Sequence, residues 1–161
     1  MLRCTQNHRG QVHFIFLKKR LETLPITARS FEKDYHIDGD EFGRAYKDHI
    51  SGFRTWEELD HADEWLIFPE NVGPHVSIDE TCLSTGEVYT IASNKDAHGR
   101  KGCLIAAAMY DREDEIINYF VNRSTNASAE SLNAKIKHFR AQLRGIIDRK
   151  FFLFRLMKIY A

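Results

Sequence analysis

Long hydrophobic runs are missing from this sequence. The apolar run near the start, Phe14–Leu17, is far shorter than the ~18 residues a membrane helix needs, so no membrane span is expected. The same run lacks a small-residue cleavage site, which argues against a secretory signal. Cysteine is scarce. Cys4, Cys82 and Cys103 form no CxxC pair and no even framework, which points to a reduced, cytoplasmic compartment. Cys4, His8 and His13 match no usual zinc spacing and lack a fourth ligand, so they read as unrelated polar residues. Internal repeats and low-complexity tracts are also absent. What is present is ordinary globular composition, 43% hydrophobic and 29% charged, which excludes wholesale disorder. A chain of 161 residues makes one domain, or one domain with an arm.

Net charge is zero, with 23 basic and 23 acidic residues, but the charge is segregated along the chain. Residues 1–20 carry +5 and residues 21–50 carry −3; residues 51–90 carry −8, residues 91–130 carry −1, and residues 131–161 carry +7. A basic tail beside an acidic middle suits a polyanion binder that also holds a metal through carboxylates; it also arises by chance segregation on a surface.

Residues 1–20 show no clear period and no acid, and read as a basic arm. Pro25 ends any earlier helix. Thr27 is placed to cap a helix over Ala28–Tyr35. His36–Gly39 reads as a turn in which Gly39 can take positive φ, and Asp40 can cap a second helix to about His49. Two short helices around such a turn have helix-turn-helix spacing, although Asp40 and Glu41 at the second start would face phosphates in a groove. Residues 53–66 read as an acidic helix running into the apolar run Trp65–Phe68, broken by Pro69.

The pattern then becomes β. His75–Asp79 alternates apolar and polar, Thr81–Gly86 is turn-like, Glu87–Ile91 is a second strand, and Cys103–Ala107 is a third, more buried one. Such short connections predict a three-stranded antiparallel meander. From Asp111 the period is helical, with Ile116, Ile117, Phe120 and Val121 on one face. Leu132, Ile136, Phe139, Leu143 and Ile147 then recur at three and four residues, with Lys135, Lys137, Arg140 and Arg144 opposite. Phe151–Tyr160 is a last, aromatic-rich helix.

Two acids stand out. Asp79 sits mid-strand, where aspartate is depleted, on the opposite face from Val76 and Ile78, which set the buried phase in this reading. The plainer reading is a solvent-facing aspartate. Glu130 lies near the first turn of an amphipathic helix, where an acid also simply complements the helix dipole. Asn133 and Lys137, three and seven residues on, share its face. A carboxylate, an amide and a cation along one face suit a metal ion beside a phosphate backbone.

Longer runs resemble a known family. His75–Thr81, Gly86–Ile91 and Gly99–Leu104 resemble the start of the catalytic domain of bacterial insertion-sequence DDE transposases of the ISL/ISAon type. Tyr46–Phe53 and Trp65–Gly73 resemble the segment before it, and Asn118–Lys137 and Phe151–Leu156 its C-terminal end. The resemblance covers about residues 24–161. It implies an α/β, RNase H-like domain that opens with three antiparallel strands, the first bearing a catalytic aspartate, here Asp79. It implies a catalytic glutamate on a late helix, here Glu130, and a DNA-proximal lysine, here Lys137. In such enzymes three carboxylates hold two magnesium or manganese ions for in-line attack on DNA phosphorus.

The chain departs from the family pattern at one place. Between the third strand, ending near Ala108, and the late helices there is no room for the stretch that bears the second catalytic aspartate. Asp111 and Asp114 sit at the junction instead. The expectation is therefore a truncated RNase H-like fold: the meander plus helices, with a helical N-terminal part. The division expected is a basic arm (1–20), a helix-turn-helix-like segment (21–64) and a truncated transposase domain (65–161). Asp79 and Glu130 are the catalytic and metal-ligating candidates; Asn133, Lys137, Arg140 and Arg144 are the DNA-binding ones. Magnesium or manganese binding is expected to be weak or absent. DNA is the expected partner, in a bacterial, nucleoid-associated setting, with self-association through the sheet edge left open by the missing strand. The alternative is a non-catalytic, transposon-derived DNA-binding protein.

Overall fold

A computed structural model describes residues 8–84, 87–109, 127–143 and 148–161. The helix expected from Asp111, with Asp114, and the positions Arg144 and Ile147 lie outside the described residues. The chain divides into two compact units, Met1–Arg54 and Thr55–Ala161.

In the first unit, helix α1 (His8–Thr23) occupies most of what reads in sequence as a loose arm. Its buried residues, Leu17 and Leu21, are four apart, one helical turn. The adjacent Ile15 and Phe16, both exposed, obscure that spacing in the sequence. A 3₁₀ turn (Ala28–Phe31) leads into α2 (Glu32–Tyr35), and α3 (Gly39–Ala45) continues as a π-helical turn over Tyr46–Ile50. Edge-to-face rings join these pieces: Phe14 with Phe42 at 5.7 Å, and Phe31 with Tyr35 at 5.7 Å.

The turn differs from the sequence reading in its chemistry. The left-handed residue is His36 (φ 50°), and Gly39 is already helical. The cap of α3 is Asp38, whose carboxylate accepts from the Glu41 N–H at 2.8 Å. Asp40 instead takes both forks of Arg29, at 2.6 and 2.8 Å, and this hydrogen bonding holds its carboxyl below the usual range. Glycine is needed at 39 for close approach, because a Cβ there would lie 2.6 Å from the Arg29 Cα. Gly39→Ala is expected to lower the stability of this unit by about 1–3 kcal/mol, the usual cost of overpacking, measured by urea unfolding. A neutral result would show that the backbone at Arg29 gives way freely.

A 3₁₀ turn at Phe53–Thr55 runs across the boundary in sequence and a second at Glu57–Asp60 follows within the second unit, where the sequence reads as one acidic helix. Strands β1 (Trp65–Ile67), β2 (Val76–Ser84), β3 (Glu87–Asn94) and β4 (Leu104–Met109) then form one antiparallel sheet in the order β1-β4-β3-β2. The meander is present as expected, with a fourth strand added. Trp65–Ile67 pairs with Ala106–Ala108, and the Phe68 N–H extends the pairing to the Ile105 carbonyl at 2.6 Å. Three apolar residues in a row carry no alternation, so only the partner strand reveals this element. Strand β2 also runs on to Ser84, through residues that read as a turn, because Glu80–Cys82 find partners in Val88–Thr90.

Helices α4 (Ala127–Gln142) and α5 (Arg149–Tyr160) complete the core. The stripe read from sequence is the buried one: Leu132, Ile136 and Phe139 are at most 1% exposed. They join Leu66, Ile91 and Ala107 from the sheet and Phe152 and Leu156 from α5 in one cluster. Asp148 caps α5 by accepting from the Phe151 N–H at 2.9 Å. Arg149 and Lys150 at that N-terminus oppose the helix dipole, and the acids around them offset this: Arg149 bonds Glu87, and Lys150 lies 3.3 Å from the Asp63 carboxylate.

Tyr160, at the end of α5, has a buried hydroxyl with no hydrogen-bond partner among the described residues. Burial, with a smaller contribution from the Cys103 thiol, pushes its pKa up to about 12. The folded pKa lies above the unfolded value of about 10. The tyrosine therefore contributes its full stability below pH 10 and loses it as pH rises toward 12. Tyr160→Phe should shift the alkaline unfolding midpoint upward while leaving neutral-pH stability within about 1 kcal/mol. An unmoved alkaline midpoint would assign the transition to other groups.

Candidate functional site

Strand β2 is an edge strand, and its two faces differ in kind. Ser77, Thr81 and Leu83 are buried and Asp79 is half-buried, whereas Glu80 and Cys82 are exposed and Val76 and Ile78 only half-buried. The covered face is therefore the polar one, opposite to the phase suggested by Val76 and Ile78. Those two residues join a smaller cluster with Ala92, Ile105, Ala106 and Ala108 on the other side of the sheet. The reason is α4, whose apolar stripe packs on the face that carries Asp79.

Asp79 is held at two points. Its Oδ1 accepts from the Glu80 N–H at 2.8 Å, and its Oδ2 accepts from the Asn133 side-chain amide at 2.5 Å. Asn133 is 4% exposed, so this bond is sheltered from water. The strand aspartate and the late helix, 54 residues apart in sequence, thus meet. Glu130 lies on the same helix, one turn before Asn133; its side chain is outside the description. Lys137, a turn beyond Asn133, is exposed. The guanidinium of Arg140 donates to the Cys82 carbonyl, and Lys135 donates from Nζ to the Gly99 carbonyl at 2.8 Å. Sequence reading places Lys135 and Arg140 on a solvent face; their carbonyl partners come from a distant loop and a distant strand and leave no local signal.

A divalent ion is the cofactor that the resemblance implies. Magnesium requires several oxygen ligands in near-octahedral geometry. Among the described residues, no three His, Cys, Asp or Glu side chains gather as a metal-holding group. Asp79 already has a hydrogen bond on each oxygen. The described donor set does not amount to a complete magnesium site. The Cys103 thiol is buried in the core beside β4, and that burial pushes its pKa up. Among the described residues, no helix is long and apolar enough to cross a membrane.

No curated protein and no solved structure matches the chain. A family model does match, over a stretch that contains Glu130, Asn133, Lys137 and Arg140 but not Asp79. The Asn133 bond is what ties Asp79 to that stretch. Residues 103–156, from the start of β4 into α5, match the model of the ISL3-type DDE transposases, described as Transposase, and over this stretch the chain is similar to that family.

Proposed function

We propose that this protein is a DNA-binding, catalytically incomplete derivative of a DDE transposase, its sheet and late helices being the remnant of an RNase H-like domain. The observation that carries the proposal is the Asp79–Asn133 bond. It sets a carboxylate of the opening meander against the helix that bears Glu130, the arrangement the family resemblance implies for a first and a third catalytic acid. Asp79 and Glu130 are the catalytic and metal-ligating residues in this reading. The two together hold at best one ion loosely, whereas two-metal phosphoryl transfer needs a further, bridging carboxylate.

DNA contact is assigned to the basic side of α4. Lys137 is exposed, and Arg140 keeps donors beyond the one given to Cys82, since a guanidinium has five. Arg144 belongs to the same proposed set, and Asn133 lies beside it at Asp79. Strand β2, last in the sheet order among the described residues, is where a second copy would pair. Sheet, helices and basic tail together correspond to the proposed transposase domain from residue 65, preceded by the helical segment and basic arm. The bacterial nucleoid is the setting this function implies.

The test is a gel assay on a labelled duplex carrying an element end, with magnesium or manganese. A retarded complex without cleavage products is expected. Cleavage by the wild-type protein would overturn the incomplete site, and absence of any complex would overturn DNA binding.

A further inference from the structure

The connection between β3 and β4 carries exposed positive charge that no acid among the described residues neutralises. Arg100 and Lys101 are exposed and Lys95 is half-exposed. None of these three side chains has an ion-pair or hydrogen-bond partner among the described residues. The loop's acid, Asp96, is turned aside to His75, whose Nδ1 lies 3.2 Å from both carboxylate oxygens. This contrasts with α4, where Lys135 and Arg140 are engaged by backbone carbonyls.

The loop is also tightly built. His98 and Gly99 are both left-handed (φ 50° and 67°), and Gly102 has φ 81°. Successive turns close through His98 N–H to the Lys95 carbonyl, Arg100 N–H to the Ala97 carbonyl and Cys103 N–H to the Arg100 carbonyl, at 3.0–3.1 Å. Lys135 braces the tip through the Gly99 carbonyl, and a Cβ at Gly99 would lie 2.5 Å from its Nζ. The cations are thus presented on a fixed frame.

The position of the frame matters as much as its charge. Asn133 holds Asp79, and Lys135, two residues along α4, holds the loop. Two residues along a helix are about 3 Å of rise and about 200° of rotation, so Asp79 and the loop are held from opposite sides of one turn of α4. Lys137 follows two residues later, exposed.

We propose that the loop of residues 95–102 binds the phosphodiester backbone of DNA, its phosphates lying along Lys95, Arg100 and Lys101. The loop has no aromatic side chain of the Phe, Tyr or Trp type on which a base would stack, so the interaction is with phosphate and carries little sequence preference. This inference rests on the reading of the chain as a DNA binder and names a surface for it that is separate from the basic side of α4.

The experiment is fluorescence anisotropy of a short mixed-sequence duplex titrated with full-length protein over a range of salt concentrations. Each phosphate that the protein neutralises adds about 0.9 to the steepness of the log–log salt dependence. The triple variant Lys95→Ala, Arg100→Ala, Lys101→Ala is therefore expected to have a slope shallower by about 2–3, and its affinity at low salt should fall by about tenfold or more. The charge-preserving variant Arg100→Lys should keep the wild-type slope. Equal urea midpoints establish that the variants are folded; should the triple variant unfold, Arg100→Ala and Lys101→Ala singly must each flatten the slope. A wild type that binds with a salt slope unchanged in these variants overturns the loop assignment and leaves DNA binding standing. A wild type with no salt-dependent binding overturns both.

Discussion

Phe139→Ala should destabilise the second unit by about 3–5 kcal/mol, the range for removing a fully buried aromatic ring. Phe139 is 0% exposed at the centre of the interface between α4, α5 and the sheet. Its ring stacks on Phe152 at 5.5 Å between centroids, and the Arg155 guanidinium lies 5.2 Å from its centroid. Arg155 is itself 4% exposed, so truncation at 139 both opens a cavity and strips a buried cation of its aromatic face. The total stability of a domain of this size is about 5–15 kcal/mol, so the loss would leave a marginal protein. Phe139→Leu keeps most of the volume and should cost distinctly less. Urea unfolding followed by circular dichroism checks this through a lowered midpoint at constant slope. A loss under about 1 kcal/mol would mean that α4 does not seat on the sheet as described.

Strand cleavage by the wild-type protein should stay at background with magnesium or manganese, and Asp79→Asn should leave it there. The chemistry of DDE transposases requires a nucleophile activated by one metal and a leaving oxygen stabilised by the other, with the ions about 3.5–4 Å apart. Losing such electrostatic stabilisation costs orders of magnitude in rate, because these interactions act where charge develops in the transition state. Asparagine is the informative replacement at 79. It removes the negative charge but keeps an oxygen to accept the bond from Asn133, whereas alanine would leave that buried amide unpaired at a cost of about 1–3 kcal/mol. Glu130→Gln should likewise leave activity at background, and both variants should retain DNA affinity. Magnesium-dependent cleavage abolished by Asp79→Asn would reveal a substitute acid, with Asp111 and Asp114 the first to replace.

Local pattern carried much of the architecture. The three-and-four spacing of Leu132, Ile136 and Phe139 identifies α4 and its buried stripe, because a helix lines up residues at that interval whatever it packs against. Alternation marks the start of β2, and β-branched and aromatic residues mark β3. Asp79 and Glu130 were legible as candidates through residue type, position and the resemblance to transposases. Trp65–Ile67 was not legible as a strand, since three apolar residues fit a helix end equally well. The cap of α3 was misplaced by two residues, because Asp38 and Asp40 are equivalent as caps until Arg29 claims one of them.

The sequence by itself determined where most helices and strands form, which face of α4 is apolar and which family the chain resembles, all of these being readable from neighbours a few residues apart. Only the tertiary structure decided that the polar face of β2 is the covered one. That choice depends on where α4 docks, and α4 lies some 50 residues further along the chain. The same docking decided that Lys135 and Arg140 bond backbone carbonyls, while Arg100 and Lys101 in the β3–β4 loop find no partner among the described residues. A cation's partner is set by what lies within hydrogen-bond reach, and for Lys135 and Arg140 the nearest acceptors are distant in sequence.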